Sequence, residues 1–103
     1  MDNEILKFGG NIELTGFRVI DSSSMIVLKK IIGNHVKRIL ELTKKMEKLH
    51  ITLKSIHKRE KSEKYEVHAN LIDDGKIYAS EVTDRILFVA VDDVLKKIVN
   101  ELD

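Results

Sequence analysis

The apolar residues of this chain change spacing several times, and each change predicts a new element of secondary structure. In the stretch Asn11 to Phe17, Ile12 and Leu14 alternate with polar residues, which is typical of a half-buried strand. The earlier run Ile5 to Phe8 precedes two consecutive glycines and predicts a short additional strand. The chain therefore begins with strand structure.

A helix is predicted from Ser24 to about Leu49. The Asp21 to Ser24 cluster before it offers several N-cap residues. Gly33 lies inside this helix, costs about 1 kcal/mol relative to alanine, and suggests a close packing contact. The apolar stripe expected to face the core consists of Leu28, Ile32, Val36, Ile39 and Met46.

Strand spacing returns after the helix. Leu49 to His57 alternates again, Lys58 to Lys64 is a charged connection, and the stretch KYEVHANLIDDGKIYASEVTD follows as a hairpin around an Asp-Gly turn. In its first strand, Val67 and Ala69 are expected to face the core. His68 and Asn70 are then expected to face solvent.

A second helix is predicted to begin at Thr83 or Asp84. Its expected buried side consists of Leu87, Val91, Val94, Leu95, Ile98 and Leu102. The resulting order, β-α-β-β-β-α, predicts an α+β two-layer sandwich in which both helices cover one face of a four-stranded mixed sheet. The first two strands should be parallel and the others antiparallel. We expect a single domain over residues 1–103, with residues 1–10 as a possible N-terminal extension.

Composition narrows the functional classes. There is no cysteine, which excludes a disulfide framework and a thiolate metal site. The N-terminus lacks the pattern of a signal peptide, and the longest apolar run, Ile86 to Val91, is too short to span a bilayer. These features lead us to expect a cytoplasmic protein without membrane partners.

Charge is unevenly placed although the net charge is only +1. Residues 22–70 carry twelve Lys or Arg against five acidic residues, whereas residues 1–21 and 71–103 are net acidic. On the polar side of the first helix, Lys30, Lys37, Lys44 and Lys48 recur at helical spacing, with Arg38 and Lys45 beside them. Such a face fits a polyanionic partner, and equally a solvated surface whose lysines near the helix end favour the macrodipole.

The remaining polar residues do not predict a catalytic or metal site. His35, His50, His57 and His68 lack the spacing of metal ligands. The Asp73-Asp74 pair is expected to form the hairpin turn, and no phosphate-binding glycine loop or nucleophile motif is present. We therefore expect no enzyme, no cofactor, no metal and no small-molecule substrate.

Several strings, taken in order, resemble the ribosome hibernation-promoting factor family, also called the protein Y or ribosome-associated inhibitor family. They are IELTG (residues 12–16), the aspartate and serines at residues 21–24, KYEVHANL (residues 64–71) and GKIYASEVTDRILFVAVDDVLKKIVNEL (residues 75–102). The resemblance implies a fold similar to the double-stranded-RNA-binding domain and a short form without a second, dimerisation domain. The Lys/Ile-rich, proline-free composition suits an archaeal member.

The resemblance also implies a function. Members of this family occupy the decoding region of the small ribosomal subunit and inhibit translation or stabilise dormant ribosomes. Their contacts to ribosomal RNA come from basic residues on the helices and nearby loops. The corresponding positions here are Lys30, Lys37, Arg38, Lys44, Lys45, Lys48, Lys58, Arg59, Lys61, Lys64, Lys96 and Lys97. One departure is the acidic C-terminus, Asn100 to Asp103, where many members carry a basic tail.

Two other residues are considered as contacts on the exposed sheet. His68 is a possible donor to RNA, and Tyr78 is a possible stacking platform for a base, although packing at the sheet edge is the favoured role for Tyr78. The alternative function is a protein-interaction module that uses the exposed sheet face or an edge strand and binds no nucleic acid. Salt dependence separates the two, because phosphate binding weakens steeply as salt rises. A monomer is favoured.

Overall fold

The computed structural model describes residues 5–7, 11–57 and 63–103. The elements in chain order are β1 (Ile5–Lys7), β2 (Ile12–Thr15), α1 (Ser22–Leu42), β3 (Met46–His57), β4 (Glu63–Asp73), β5 (Lys76–Asp84) and α2 (Leu87–Leu102). The predicted α+β sandwich is confirmed. The short strand predicted before the two glycines is β1, which adds a fifth strand to the sheet.

The strands lie side by side in chain order, from β1 at one edge of the sheet to β5 at the other. β2 and β3 are parallel and are connected by α1, and the other neighbouring strands are antiparallel. The predicted mixed sheet is therefore confirmed. β3 and β4 are the longest strands and pair along almost their whole length.

One face of the sheet carries the core. Val67 and Ala69 are fully buried, whereas Asn70 is exposed and His68 is half-buried, so the predicted faces of β4 are confirmed. The buried stripes of both helices belong to the same apolar cluster as the inward side chains of the strands. Val36 and Val94 are both buried in it. Both helices thus cover one face, and the other face stays polar.

Backbone geometry at two turns explains glycines in the sequence. Gly16 has φ +87, and a Cβ atom at this position would lie 2.1 Å from the Leu53 carbonyl oxygen. Asp74 (φ 51) and Gly75 (φ 83) are both left-handed and connect β4 to β5. A two-residue hairpin turn with positive φ at both positions matches the right-handed twist of the strands. The predicted Asp-Gly turn is confirmed.

The first helix ends earlier than predicted. Its N-terminus is capped by Asp21, which accepts the Ser24 N–H at 3.0 Å. At the other end, Thr43 is extended (φ −92, ψ 154), and Met46 begins β3. Met46 and Lys48 are therefore strand residues, and the prediction of a helix to about Leu49 is wrong. The second helix begins at Leu87, because β5 continues to Asp84.

Candidate nucleic-acid interface

Four exposed lysines follow the solvent side of α1 into the loop after it: Lys30, Lys37, Lys44 and Lys45. We name this set the α1 lysine row. Lys30 and Lys37 lie in the middle of the helix, seven residues and about 10 Å apart along its axis at 1.5 Å per residue. Among the described residues, no acidic side chain forms an ion pair with a member of the row. These charges are available to an external anion.

The helix macrodipole does not account for Lys30 and Lys37. Its effect is confined to the last turn of a helix, and the last turn of α1 carries no basic side chain. Lys30 and Lys37 lie too far from that end to benefit. The single acidic residue near them on the exposed side, Glu41, accepts a hydrogen bond from Arg38 at 3.2 Å.

The backbone of the α1–β3 loop is held by a buried carboxylate. Asp73, at the end of β4, is 8% exposed and accepts the backbone N–H groups of Lys44 at 3.0 Å and Lys45 at 2.6 Å. The Asp74 N–H in turn donates to the Lys45 carbonyl oxygen at 2.9 Å. Asp73 was expected only to form the hairpin turn. It also fixes the backbone from which two lysines of the α1 lysine row extend.

Four other cations proposed from the sequence have partners within the protein. Arg38 contacts Glu41 and lies 3.8 Å from Asp103. Lys48 lies 3.2 Å from Glu13 on the polar face of the sheet. On α2, Lys96 pairs with Asp92 at 3.2 Å, and Lys97 donates to the Glu81 carbonyl oxygen at 3.2 Å. Exposed ion pairs of this kind contribute little stability, but an RNA phosphate would have to displace them.

The predicted loop cations are only partly placed. Lys58, Arg59 and Lys61 lie outside the described residues. Lys64 belongs to β4 rather than to a loop and is half-buried. The strand ends that flank the loop, His57 and Glu63, lie at the opposite end of the β3–β4 pair from Met46 and Asp73. These two strand ends are therefore far from Lys44 and Lys45.

The polar face of the sheet around His68 carries two carboxylates, Glu66 and Glu81, with Lys54 opposite Glu66. His68 contacts Glu66 on the same strand, and its Nδ1 lies 3.5 Å from Glu81 on β5. The hydrogen bond from His68 lowers the pKa of the Glu66 carboxyl, which keeps that group anionic. Two carboxylates beside the imidazole repel phosphate, so this surface does not favour the proposed RNA contact of His68.

Tyr78 does not belong to the exposed face. It pairs with the buried Leu71 across β4 and β5, and its ring packs against the apolar core. The expectation that it lies on the same face as His68 is wrong, and its packing against the core agrees with the favoured role at the sheet edge. Its contact with a base stays a prediction. The two-residue turn fixes this register, because a shift by one residue would move every β5 side chain to the other face.

Two contributors to this surface were missed in the sequence. Lys29 is exposed beside Lys30, and the adjacent basic pair is visible in the sequence as the signal for it. The clamp formed by Asp73 joins residues 28 and 29 positions apart along the chain. No local pattern could have predicted it.

Comparison with known proteins adds no assignment: no family model matches this chain, and no curated protein matches it. Neither helix of the described part is long and apolar enough to cross a membrane. Within residues 5–7, 11–57 and 63–103, no group of three or more possible metal ligands is found.

Proposed function

We propose that this protein binds ribosomal RNA of the small subunit through the α1 lysine row, and that it inhibits translation or stabilises dormant ribosomes in the cytoplasm. The observation that carries the proposal is the row itself. It consists of exposed cations on one helix and its adjoining loop, without acidic partners among the described residues. The resemblance of the sequence to the ribosome hibernation-promoting factors supports the choice of RNA.

The affinity would come mainly from phosphate contacts. Each lysine that neutralises a phosphate releases condensed counterions, so several cations on one surface bind RNA without reading its sequence. Lysine acts here as a flexible point charge that can follow the phosphate backbone. The 21-residue helix α1 presents Lys30 and Lys37, and the loop after it presents Lys44 and Lys45. Binding by charge and shape is suited to the structured RNA of a ribosomal subunit.

The inhibitory effect would be steric. A domain placed across the path of messenger and transfer RNA prevents both from binding, and it needs no catalytic residue to do so. The polar sheet face is the less suitable contact surface, because Glu66 and Glu81 flank His68 there. The orientation supported by the charges is with α1 toward the RNA.

Co-sedimentation with purified small ribosomal subunits tests the proposal. The variant Lys37→Glu/Lys44→Glu reverses two charges of the α1 lysine row. The matched variant Lys54→Glu/Arg85→Glu reverses two exposed charges elsewhere, on β3 and before α2, with the same change in net charge. We expect the first variant to stay in the supernatant at moderate salt and the second to pellet with the subunits.

Both variants should keep the circular dichroism of the wild-type protein, because all four side chains are exposed. Equal loss of binding in both variants would show that net charge alone is responsible. Retained binding of a folded Lys37→Glu/Lys44→Glu variant would show that the row is only a solvated face. Either result would refute the proposed site.

A further inference from the structure

The free edge of β5 presents a defined set of backbone groups. β5 is the last strand of the sheet, and no described strand pairs with its outer side. A two-residue hairpin turn makes Asp73 and Lys76 a hydrogen-bonded pair, so every second residue of β5 from Lys76 bonds to β4. The residues between them direct N–H and C=O groups outward. They are Ile77, Ala79, Glu81 and Thr83.

An observed contact supports this assignment. Lys97 of α2 donates to the backbone carbonyl oxygen of Glu81 at 3.2 Å, which requires that oxygen to be accessible beside the strand. Nine consecutive residues are in strand conformation, and Ile77 is 67% exposed next to the edge. Such an edge is a template for another strand, and a single lysine covers only one of its carbonyl groups.

We propose that β5 pairs with β5 of a second copy of this chain, antiparallel and about a two-fold axis at Ser80, so that the two sheets become continuous. In this register Ala79 lies opposite Glu81 of the second copy, and Ile77 lies opposite Thr83. All outward N–H and C=O groups of both strands then meet a partner. At the axis, Ser80 lies opposite Ser80 of the second copy. The two β5 strands are therefore self-complementary, as a two-fold interface requires.

Charge selects this register over its neighbours. With the axis at Ser80, Lys76 lies opposite Asp84 of the second copy, and the symmetric pair repeats this at the other end of the strand. Moving the axis to Glu81 places two glutamates opposite each other. Moving it to Ala79 places Lys76 opposite Val82 and leaves Asp84 beyond the end of the second strand, without a charged partner. Opposite charges across strands stabilise a pair and like charges destabilise it, so only the Ser80 register is favourable throughout.

The inward and outward faces of β5 also fit the pairing. On the core side, Tyr78 would meet Val82 of the second copy, and both already pack at the margin of the apolar cluster. α2 covers β4 and β5, and the Ser80 hydroxyl donates to the Val94 carbonyl oxygen at 2.8 Å. The α2 helices of the two copies would therefore flank the axis. The monomer favoured by the sequence would become a dimer.

The interface is independent of the proposed RNA site. α1 connects β2 and β3 and packs beside α2, so the α1 lysine row lies away from the β5 edge. Formation of the dimer does not require RNA. A failure of one proposal would leave the other standing.

Sedimentation velocity over a wide protein concentration range, at low salt, tests the dimer with a charge swap. The wild-type chain of 11.8 kDa should approach twice that mass as its concentration rises. Lys76→Asp and Asp84→Lys should each be monomeric alone, because like charges then face each other at both ends. An equimolar mixture of the two variants should dimerise again, because each Asp of one chain meets a Lys of the other.

Asp84→Lys also removes a hydrogen bond within one chain, because the Asp84 carboxylate accepts the Ile86 N–H at 2.8 Å. A second variant tests the dimer if Asp84→Lys fails to fold. Ala79→Pro removes one outward N–H without breaking a bond to β4, and proline is tolerated on an edge strand in that orientation. It should fold and remain monomeric. A wild-type chain that is monomeric at every concentration, or a folded Ala79→Pro chain that still dimerises, would overturn the proposal.

Discussion

Asp73 shows how one buried carboxylate connects distant parts of this chain. It lies at the end of β4, and it binds the backbone N–H groups of Lys44 and Lys45, which follow α1. A carboxylate that accepts backbone N–H groups forms a charge-assisted hydrogen bond, stronger than a neutral one. The α1–β3 loop and the β4–β5 turn therefore support each other.

Asp73→Ala should destabilise the protein by about 1–3 kcal/mol, the cost of leaving buried polar groups without partners. The backbone amides of Lys44 and Lys45 should also exchange with solvent faster, which hydrogen exchange measured by NMR would show. Asp74→Asn is the matched control, because Asp74 is exposed and asparagine tolerates its positive φ. Unchanged exchange in Asp73→Ala would mean that the loop is held by other contacts.

Asp92 and His35 form a polar contact between the two helices. His35 Nε2 lies 2.7 Å from Asp92 Oδ1, and Lys96 lies 3.2 Å from the other oxygen. The hydrogen bond from His35, with a further contribution from Lys96, lowers the pKa of Asp92 below its usual value of 3.8. A group whose pKa is lower in the folded state stabilises the fold above its unfolded pKa. That contribution is lost as pH falls through the folded pKa.

Asp92→Asn should therefore be less stable than the wild-type protein near neutral pH. The difference should start to shrink as pH falls to about 4, where Asp92 becomes protonated in the unfolded chain, and it should be lost as pH falls through the lower folded pKa. Urea denaturation at a series of pH values measures both curves. Asp93→Asn, one position along α2, serves as the control. A difference between wild type and Asp92→Asn that stays constant from neutral to acidic pH would contradict the assigned interaction.

Among the elements, two glycines differ in whether the fold requires them: Gly33 inside α1 and Gly16 after β2. Gly33 lies inside α1, and a Cβ atom there would have no described atom within 4 Å. The close packing contact expected from the sequence is absent among the described residues. Gly33→Ala should stabilise the fold by about 1 kcal/mol, the difference in helix propensity between the two residues.

Gly16→Ala should do the opposite, because φ is +87 and the added Cβ would lie 2.1 Å from the Leu53 carbonyl oxygen. The midpoints of chemical denaturation for both variants and the wild-type protein give the comparison. A Gly33→Ala variant less stable than wild type would show that this face of α1 is closely packed against something. The pair thus distinguishes a glycine required by the fold from one that is not.

The sequence correctly predicted those elements in which the apolar residues keep one spacing, helical or alternating, over most of the element. The buried stripes of α1 and α2 and the inward side of β4 were correct for that reason. The end of α1 was wrong, because Met46 continued the helical apolar spacing while the backbone after Leu42 is held by Asp73. A long-range hydrogen bond of this kind leaves no signal in local periodicity.

The buried side of β5 could not be predicted from the sequence for a different reason. Both sides of β5 carry apolar residues: Ile77 and Ala79 lie on one side, and Tyr78 and Val82 on the other. Alternation alone therefore does not show which side is buried. The turn at Asp74-Gly75 sets the register and directs Tyr78 to the core side. The candidate RNA surface was limited in the same way, because sequence spacing located the cations but did not show which of them pair with acidic neighbours.

At the scale of the whole molecule, the fold separates two surfaces. The α1 lysine row is carried by the helix that joins β2 and β3, and the free strand edge is carried by β5 at the end of the sheet. The sheet face opposite the helices holds paired polar side chains, including Lys48 with Glu13 and His68 with Glu66. The proposed RNA binding and the proposed self-association can therefore be tested by separate substitutions.

The salt dependence of binding to isolated small ribosomal subunits is the sharpest test of the proposal that the α1 lysine row binds phosphate. The dissociation constant would be measured over a series of salt concentrations for the wild-type protein and for Lys30→Ala/Lys37→Ala/Lys44→Ala/Lys45→Ala. Each lost phosphate contact should lower the slope of log affinity against log salt by about 0.7–0.9, so the four together should lower it by about 3. Binding with an unchanged slope in the folded quadruple variant would contradict the claim.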